Sequence, residues 1–169
     1  MSAIYVSTVI DATTDEVWAI VEPVERHVEW MADATAIRFQ GDRTRGTGTR
    51  FICDTKVGPV RLADHMEITS WIPGHEMGVR HQGLVTGSGR FTLTPSADGG
   101  TLFAWEEDLH FPWFLGARLG ALVGGQVVLK TIWRRNLAAL KALVERSTPR
   151  PTANPPARPA APAAAAPPG

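Results

Sequence analysis

One cysteine, Cys53, in 169 residues leaves no partner for an internal disulfide and no thiolate set for a cysteine-based zinc site. A lone thiol fits a reducing compartment, so a cytoplasmic protein is expected. A surplus of either charge is missing as well: 17 Lys and Arg balance 17 Asp and Glu. No overall field draws such a chain to nucleic acid or to an anionic membrane. Long hydrophobic runs are absent too. The most membrane-like stretch, Phe111 to Leu129, contains Pro112, Arg118 and Gln126 and runs straight into Lys130. It falls short of a spanning helix, and no stable membrane insertion is expected. The opening residues, MSAIYVSTVIDATTDEVW, lack the charged, apolar and small-residue regions of a secretory leader. The histidines (His27, His65, His75, His81 and His110) have no metal-ligand spacing. HExxH, Walker, GxGxxG and nucleophile-elbow patterns are also missing, so neither a metal nor another cofactor is expected.

What is present suits a single globular domain: 44% of residues are apolar, and the length leaves room for one core. Composition breaks after Ser147. From Thr148 to Gly169 the chain reads TPRPTANPPARPAAPAAAAPPG, almost all Pro and Ala, without apolar periodicity. Residues 1–147 are therefore expected to fold, and residues 148–169 to form a disordered tail.

Ile4 to Ile10 is rich in β-branched residues and predicts a strand. Thr13 or Thr14 then offers a helix cap, with Asp15 and Glu16 placed to favour the positive end of the dipole. Val17, Trp18, Ile20 and Val21 supply an apolar face until Pro23, and a second short helix is expected at Val24 to Trp30. Turn residues then divide the chain into strands at Ala36–Gln40, Thr49–Lys56, Val60–Trp71, His75–Gln82, Arg90–Thr94 and Thr101–Phe111. One long helical pattern, Trp113 to Arg146, closes the domain. Strands joined by short turns imply an antiparallel meander. Its apolar face needs a cover, and the long helix is the only large amphipathic element available. The fold class is thus α+β, a curved antiparallel sheet of about seven strands gripping a long helix around a cavity.

Three segments carry a family likeness: IDATTDEVWAIVEPVERHVEW, GGTLFAWEEDLHFP and LAALKALVE, in that order. With them the chain resembles the START-like, or SRPBCC, superfamily, in its polyketide cyclase/dehydrase-like branch, from Ile4 to about Glu145. The resemblance implies the helix-grip fold. Because such families include lipid and sterol carriers, quinone binders and aromatase/cyclases, it implies no single activity and no fixed catalytic set.

Alternation along strands assigns the inner face. Leu62, Asp64, Met66 and Ile68 share it on one strand, and Met77, Val79 and His81 on the next. Phe91 and Leu93 follow, then Phe103, Trp105, Glu107 and Leu109, while Phe51, Cys53 and Thr55 point in from an earlier strand. On the long helix Leu115, Leu119, Leu122, Gln126, Leu129, Trp133, Leu137, Leu140 and Val144 form one stripe. The candidate ligand-binding residues are Cys53, Asp64, Met66, His81, Phe91, Trp105, Glu107, Leu122, Gln126 and Trp133. An apolar chamber with few placed polar groups is the ordinary make-up of a small-molecule site.

Each candidate also has a plainer reading. Met66 reads as core, Trp105 and Trp133 equally as core or ligand wall, and His81 first as a hydrogen-bonded structural residue. Asp64 is expected near the open end of the sheet, satisfied by water. Glu107 has two open readings. The resemblance implies a structural acid at this place, for example pairing with Arg118. Its position between Trp105 and Leu109 predicts instead a desolvated carboxyl with a raised pKa.

Three functions follow. The first is binding, as carrier or sequestering protein, of a lipophilic molecule such as a polyketide, fatty acyl or isoprenoid compound. The second is a cyclase, aromatase or dehydratase with His81 and Glu107 as acid and base, the candidate catalytic residues. The third is an interaction module acting through the long helix. Its front half, PWFLGARLGALVGGQVVLK, is apolar nearly all round, with Gly116, Gly120 and Gly124 aligned on the side away from the sheet. Two explanations of that face stay open: a weak, mobile lid over the cavity, kinked at Gly124-Gly125, or a seat for a partner helix, as in a homodimer, or for a membrane surface, since small residues allow close backbone approach.

Overall fold

The structure, a computed structural model, describes residues 4–112 and 125–148, with only the backbone of residues 125 and 126. It is an α+β helix-grip fold, a seven-stranded antiparallel sheet with a long C-terminal helix. Strand β1 (Ile4–Ile10) leads into helix α1 (Thr14–Val21). The cap is Thr13, whose Oγ1 accepts from the Glu16 backbone N–H at 3.3 Å. Glu16 Oε2 reaches back to the Thr13 N–H at 2.7 Å, so two donors at the helix start are satisfied reciprocally. The short helix expected next is a 3-10 helix, Val24–Glu29, following directly on Pro23.

Strands β2 (Ala34–Phe39), β3 (Arg50–Val57), β4 (Val60–Ile72), β5 (Glu76–Gln82), β6 (Thr86–Pro95) and β7 (Thr101–His110) follow. The sheet order is β1-β7-β6-β5-β4-β3-β2: the last six strands form the meander, and β1 closes one edge against β7. Two strands differ from expectation. β6 begins at Thr86 rather than Arg90, because Gly87-Ser88-Gly89 is not a break but extended chain paired on both sides. In β4 a register shift between Ile68 and Ser70 turns Trp71 to the inner face, where it meets Trp18 edge-on at 5.3 Å.

Helix α2 (Gly125–Ser147) is the described part of the long helical pattern. The Gly116, Gly120, Gly124 face, Leu115, Leu119, Leu122 and the Pro/Ala tail beyond Thr148 lie outside the described residues. Trp133, Leu137, Leu140 and Val144 are buried, as the stripe predicts. The C-terminal end is pinned to β1: Lys141 Nζ donates to the Val9 carbonyl at 2.6 Å, and Glu145 Oε1 accepts from the Asp11 N–H at 2.9 Å. Beneath this half of α2 the core is solid, with Ile10, Val21, Ile68, Phe103 and Leu140 fully enclosed. Each such side chain contributes about 1.5–3 kcal/mol by leaving water. Toward the other half of the helix the interior opens.

Candidate functional site

Between the inner face of the sheet and the start of α2 lies a cavity with about 130 Å³ of free space. Its apolar wall is built by alternation on β3 to β7. Phe51 and Cys53 come from β3, Met66 from β4, Phe91 from β6, Trp105 from β7 and Trp133 from α2. The Trp105 and Trp133 rings stack at 5.2 Å between centroids, and Phe91 meets Trp105 edge-on at 5.1 Å. Met66, expected as plain core, also lines the cavity. Of the other residues expected there, Leu122 and the side chain of Gln126 lie outside the described part.

Three ionisable groups interrupt this wall at one place. His81 on β5 is hydrogen-bonded through Nδ1 to Asp64 Oδ2 on β4, and through Nε2 to Glu107 Oε1 on β7 at 3.2 Å. All three are buried, with 9% or less of each residue exposed. Asp64 is therefore not a water-satisfied carboxylate at an open edge, as the sequence suggested. It sits diagonally across from His81, one pair removed from the Met66–His81 partnership, and that register closes the pair.

The contact between His81 and Glu107 has to cross a whole strand. β6 runs between β5 and β7, and opposite His81 and Glu107 it presents Gly87 and Gly89. Strands lie about 4.8 Å apart, so two side chains separated by an intervening strand meet only if that strand carries nothing between them. A Cβ on Gly89 would stand 2.9 Å from both Cγ and Oε1 of Glu107. A Cβ on Gly87, whose φ is 139°, would collide with the Asp108 carbonyl at 1.9 Å. The two glycines are the floor on which the cluster is laid.

Burial disfavours the charged imidazole, but the hydrogen bonds and charges of Asp64 and Glu107 outweigh it and raise the His81 pKa to about 9. Glu107 is displaced upward as well, first by burial, with Asp33 and Asp64 adding to it and the His81 contact opposing it. Both directions have one physical reading. The carboxyls on either side of the buried imidazole favour its protonated form, and burial favours the neutral acid form of Glu107. In that state both imidazole N–H groups donate inward to the carboxyls, and Glu107 holds a proton at the cavity wall.

Several lining residues escaped the sequence reading. His27, in the 3-10 helix, is buried and donates through Nε2 to the Val21 carbonyl at 2.6 Å; burial lowers its pKa to about 4. Met31, Asp33 and Val24 come from the same short segment, whose helical spacing was legible but not its place over the cavity mouth of the sheet. Cys53 is displaced to about 11 by burial, so its thiol is a wall group and not a nucleophile. Among the described residues no cluster of metal-ligating side chains occurs, and no helix is long and apolar enough to cross a membrane.

A family model described as polyketide cyclase / dehydrase and lipid transport matches residues 1–145. Among curated proteins none matches in sequence. Solved structures share the fold. The protein TTHA0849 from Thermus thermophilus is 14% identical with a TM-score of 0.72, over 87% of this chain and 99% of that one. A START superfamily protein from Mycobacterium smegmatis is 13% identical with a TM-score of 0.66, over 86% and 99%. The Zhui aromatase/cyclase from Streptomyces sp. R1128 is 13% identical with a TM-score of 0.62, over 86% and 94%. At such identities the likeness speaks for the fold alone.

Proposed function

The chain belongs to the polyketide cyclase / dehydrase and lipid transport family, and from that premise we propose that it binds a small lipophilic molecule in the cavity under α2, as a carrier or sequestering protein. The observation that carries this reading is the wall itself. Phe51, Met66, Phe91, Trp105 and Trp133 border free space, and the buried Asp64–His81–Glu107 group interrupts them at one place. That is how a pocket obtains affinity from apolar area and orientation from a few polar atoms. Asp64, His81 and Glu107 are then the ligand's polar contact, and Cys53 part of its apolar bed. The free thiol fits work in a reducing, cytoplasmic setting.

Titration of the purified protein with apolar aromatic and isoprenoid compounds, followed by tryptophan emission, tests the reading. A saturable change at micromolar ligand supports it, because Trp105 and Trp133 line the cavity. A folded sample that responds to nothing across such a panel refutes it.

A second reading is favoured by one observation, the carboxyl–imidazole–carboxyl chain. A neutral acid hydrogen-bonded to a protonated imidazole is a proton store of the kind that cyclisation or dehydration of a polyketide-like substrate requires, with Glu107 as acid and His81 as its relay. Product formation from a bound ligand, abolished in Glu107→Gln, would establish it over the carrier reading.

A further inference from the structure

The three polar groups at the cavity wall also specify what kind of head group a ligand can bring. We propose that the Asp64–His81–Glu107 cluster selects an uncharged ligand carrying a hydroxyl or carbonyl oxygen and rejects carboxylates. The proposal rests on the reading of the cavity as a binding site and narrows it.

Free valences at the wall decide what can bind there. Imidazole has two ring nitrogens, and both are committed: Nδ1 to Asp64 and Nε2 to Glu107. No N–H of His81 is left over for an anion. The atoms that are left over are carboxyl oxygens. Asp64 Oδ1 is buried and has no hydrogen-bond partner among the described residues. Glu107 is engaged through Oε1, which leaves its second oxygen. The polar side chains that line the cavity on β4, β5 and β7 are therefore Asp64, His81 and Glu107, with the Trp105 indole beside them.

The surrounding charges point the same way. Asp33, another carboxyl, also lines the cavity and accepts from Asn136 at 2.6 Å. The imidazole of His27 stays neutral, with its Nε2–H bound to the Val21 carbonyl. Arg90 borders the cavity, but its guanidinium is half-exposed and paired with Glu106 at 3.0 Å. Among the described residues one imidazolium thus stands against several carboxyls, so a buried ligand carboxylate would find no unpaired cation and would set its charge beside theirs. That is among the least favourable arrangements a protein interior can hold. A hydroxyl or ketone oxygen suits what is there: the acid form of Glu107 donates to it, and a carboxyl oxygen accepts from a hydroxyl. Size sets the scale of the moiety at the wall. Apolar cavities of roughly 150 Å³ hold a single benzene-sized ring, and the free space here is about 130 Å³.

The test uses one apolar frame with five head groups: toluene, p-cresol, 4-methylacetophenone, 4-methylbenzoate and 4-methylbenzylammonium. Their dissociation constants are measured for the intact chain at pH 7 by ligand-observed NMR and calorimetry. The expected order puts p-cresol and the ketone at least about tenfold tighter than 4-methylbenzoate and several-fold tighter than toluene, the gain of about one net hydrogen bond. Glu107→Gln, whose amide keeps a donor and an acceptor in the same place, should preserve that order. Glu107→Leu should bring the ketone down to toluene and weaken cresol, which keeps Asp64 Oδ1 as an acceptor. If either variant fails to fold, the ranking on the natural chain decides. Benzoate binding as tightly as cresol overturns the proposal. So does the ammonium binding tightest, which would mean a permanently anionic cluster, and so does toluene equalling both oxygen ligands. Each of these leaves the binding reading standing. If none of the five binds, toluene included, the binding reading falls and the selectivity falls with it.

Discussion

Asn136 of the long helix donates through Nδ2 to Asp33 Oδ1 at 2.6 Å and accepts through Oδ1 from the Ala32 N–H at 3.0 Å, with no part of the residue exposed. One side chain thereby fastens α2 to the segment that enters β2, immediately beside the cavity that Asp33 lines. It lies between the two buried residues Trp133 and Leu137, on the helix face that the apolar stripe defines.

Asn136→Leu should therefore destabilise the fold by about 1–3 kcal/mol, since it leaves the Ala32 N–H and the Asp33 carboxyl without their buried partner. Asn136→Asp should cost more, because a second carboxylate would face Asp33 from a side chain that is itself fully buried. Urea unfolding curves of the two variants check both statements. Stability unchanged in either would mean that the polar clamp contributes nothing.

The fold was legible because its elements obey simple periods. Period-two alternation put Phe51, Met77, Phe91, Trp105 and Glu107 on one face, and the helical stripe put Trp133, Leu137, Leu140 and Val144 under α2. What alternation cannot supply is register. That His81 and Glu107 face inward follows from their own strands; that they touch follows from two glycines on a third strand, in a stretch that read as a break before Arg90. Asp64 was misjudged for the same reason, since only the β4–β5 pairing brings it to His81. Asn136 was invisible: a polar residue on a helix looks like a solvated one until its partners, more than a hundred residues away, are in place.

Cys53 offers a chemical readout of the cavity. Its thiol is buried and displaced to about 11, so iodoacetamide at pH 8 should label the folded protein far more slowly than an unfolded control. A saturating cavity ligand should slow it further, because Cys53 is part of the wall. Labelling at the rate of a free thiol would show that this wall opens readily to water.

Stability should depend on pH from both sides, through two different histidines. His81 has its pKa raised from 6.5 to about 9, so its contribution is complete below pH 6.5 and is lost as pH rises through about 9. The raised Glu107 also loses its contribution as pH rises, but from its ordinary value of 4.5 upward, where it offsets part of the His27 limb. His27 is lowered to about 4; its contribution is present above pH 6.5 and is lost as pH falls toward 4, because only the unfolded chain then takes up the proton. Each limb spans on the order of 3 kcal/mol. Denaturation midpoints between pH 4 and pH 10 should be highest at or below about pH 6.5, with Glu107 flattening the acid limb, and should fall as pH rises through about 9. His81→Gln should flatten the alkaline limb and leave the acid one, while His27→Gln should do the reverse. A curve unaffected by either substitution would refute the assignment.

The floor beneath the cluster gives the sharpest test of how it is built. Gly89 has an ordinary extended backbone, so replacing it with Ala strains nothing locally, and the added methyl matters only through what it meets. It meets Glu107, at 2.9 Å from Cγ and Oε1, and Val79 Cγ2 at 3.2 Å. Glu107 can yield only by swinging away from β6, which breaks its 3.2 Å contact with His81 Nε2. The His81–Asp64 pair lies on the other side of the imidazole and is left intact. Gly89→Ala should therefore lower the His81 pKa from about 9 toward its ordinary value, while Asp64 keeps it from falling all the way. The imidazole Cε1–H resonance, followed by NMR across pH 5 to 10, reads this directly. Thr92→Ala, on the same strand but turned away from the cluster, is the control and should leave the titration where it was. An unshifted His81 in a folded Gly89→Ala protein would mean that Glu107 does not govern its charge, and that the bond across the glycine floor is not what holds the proton in the cavity wall.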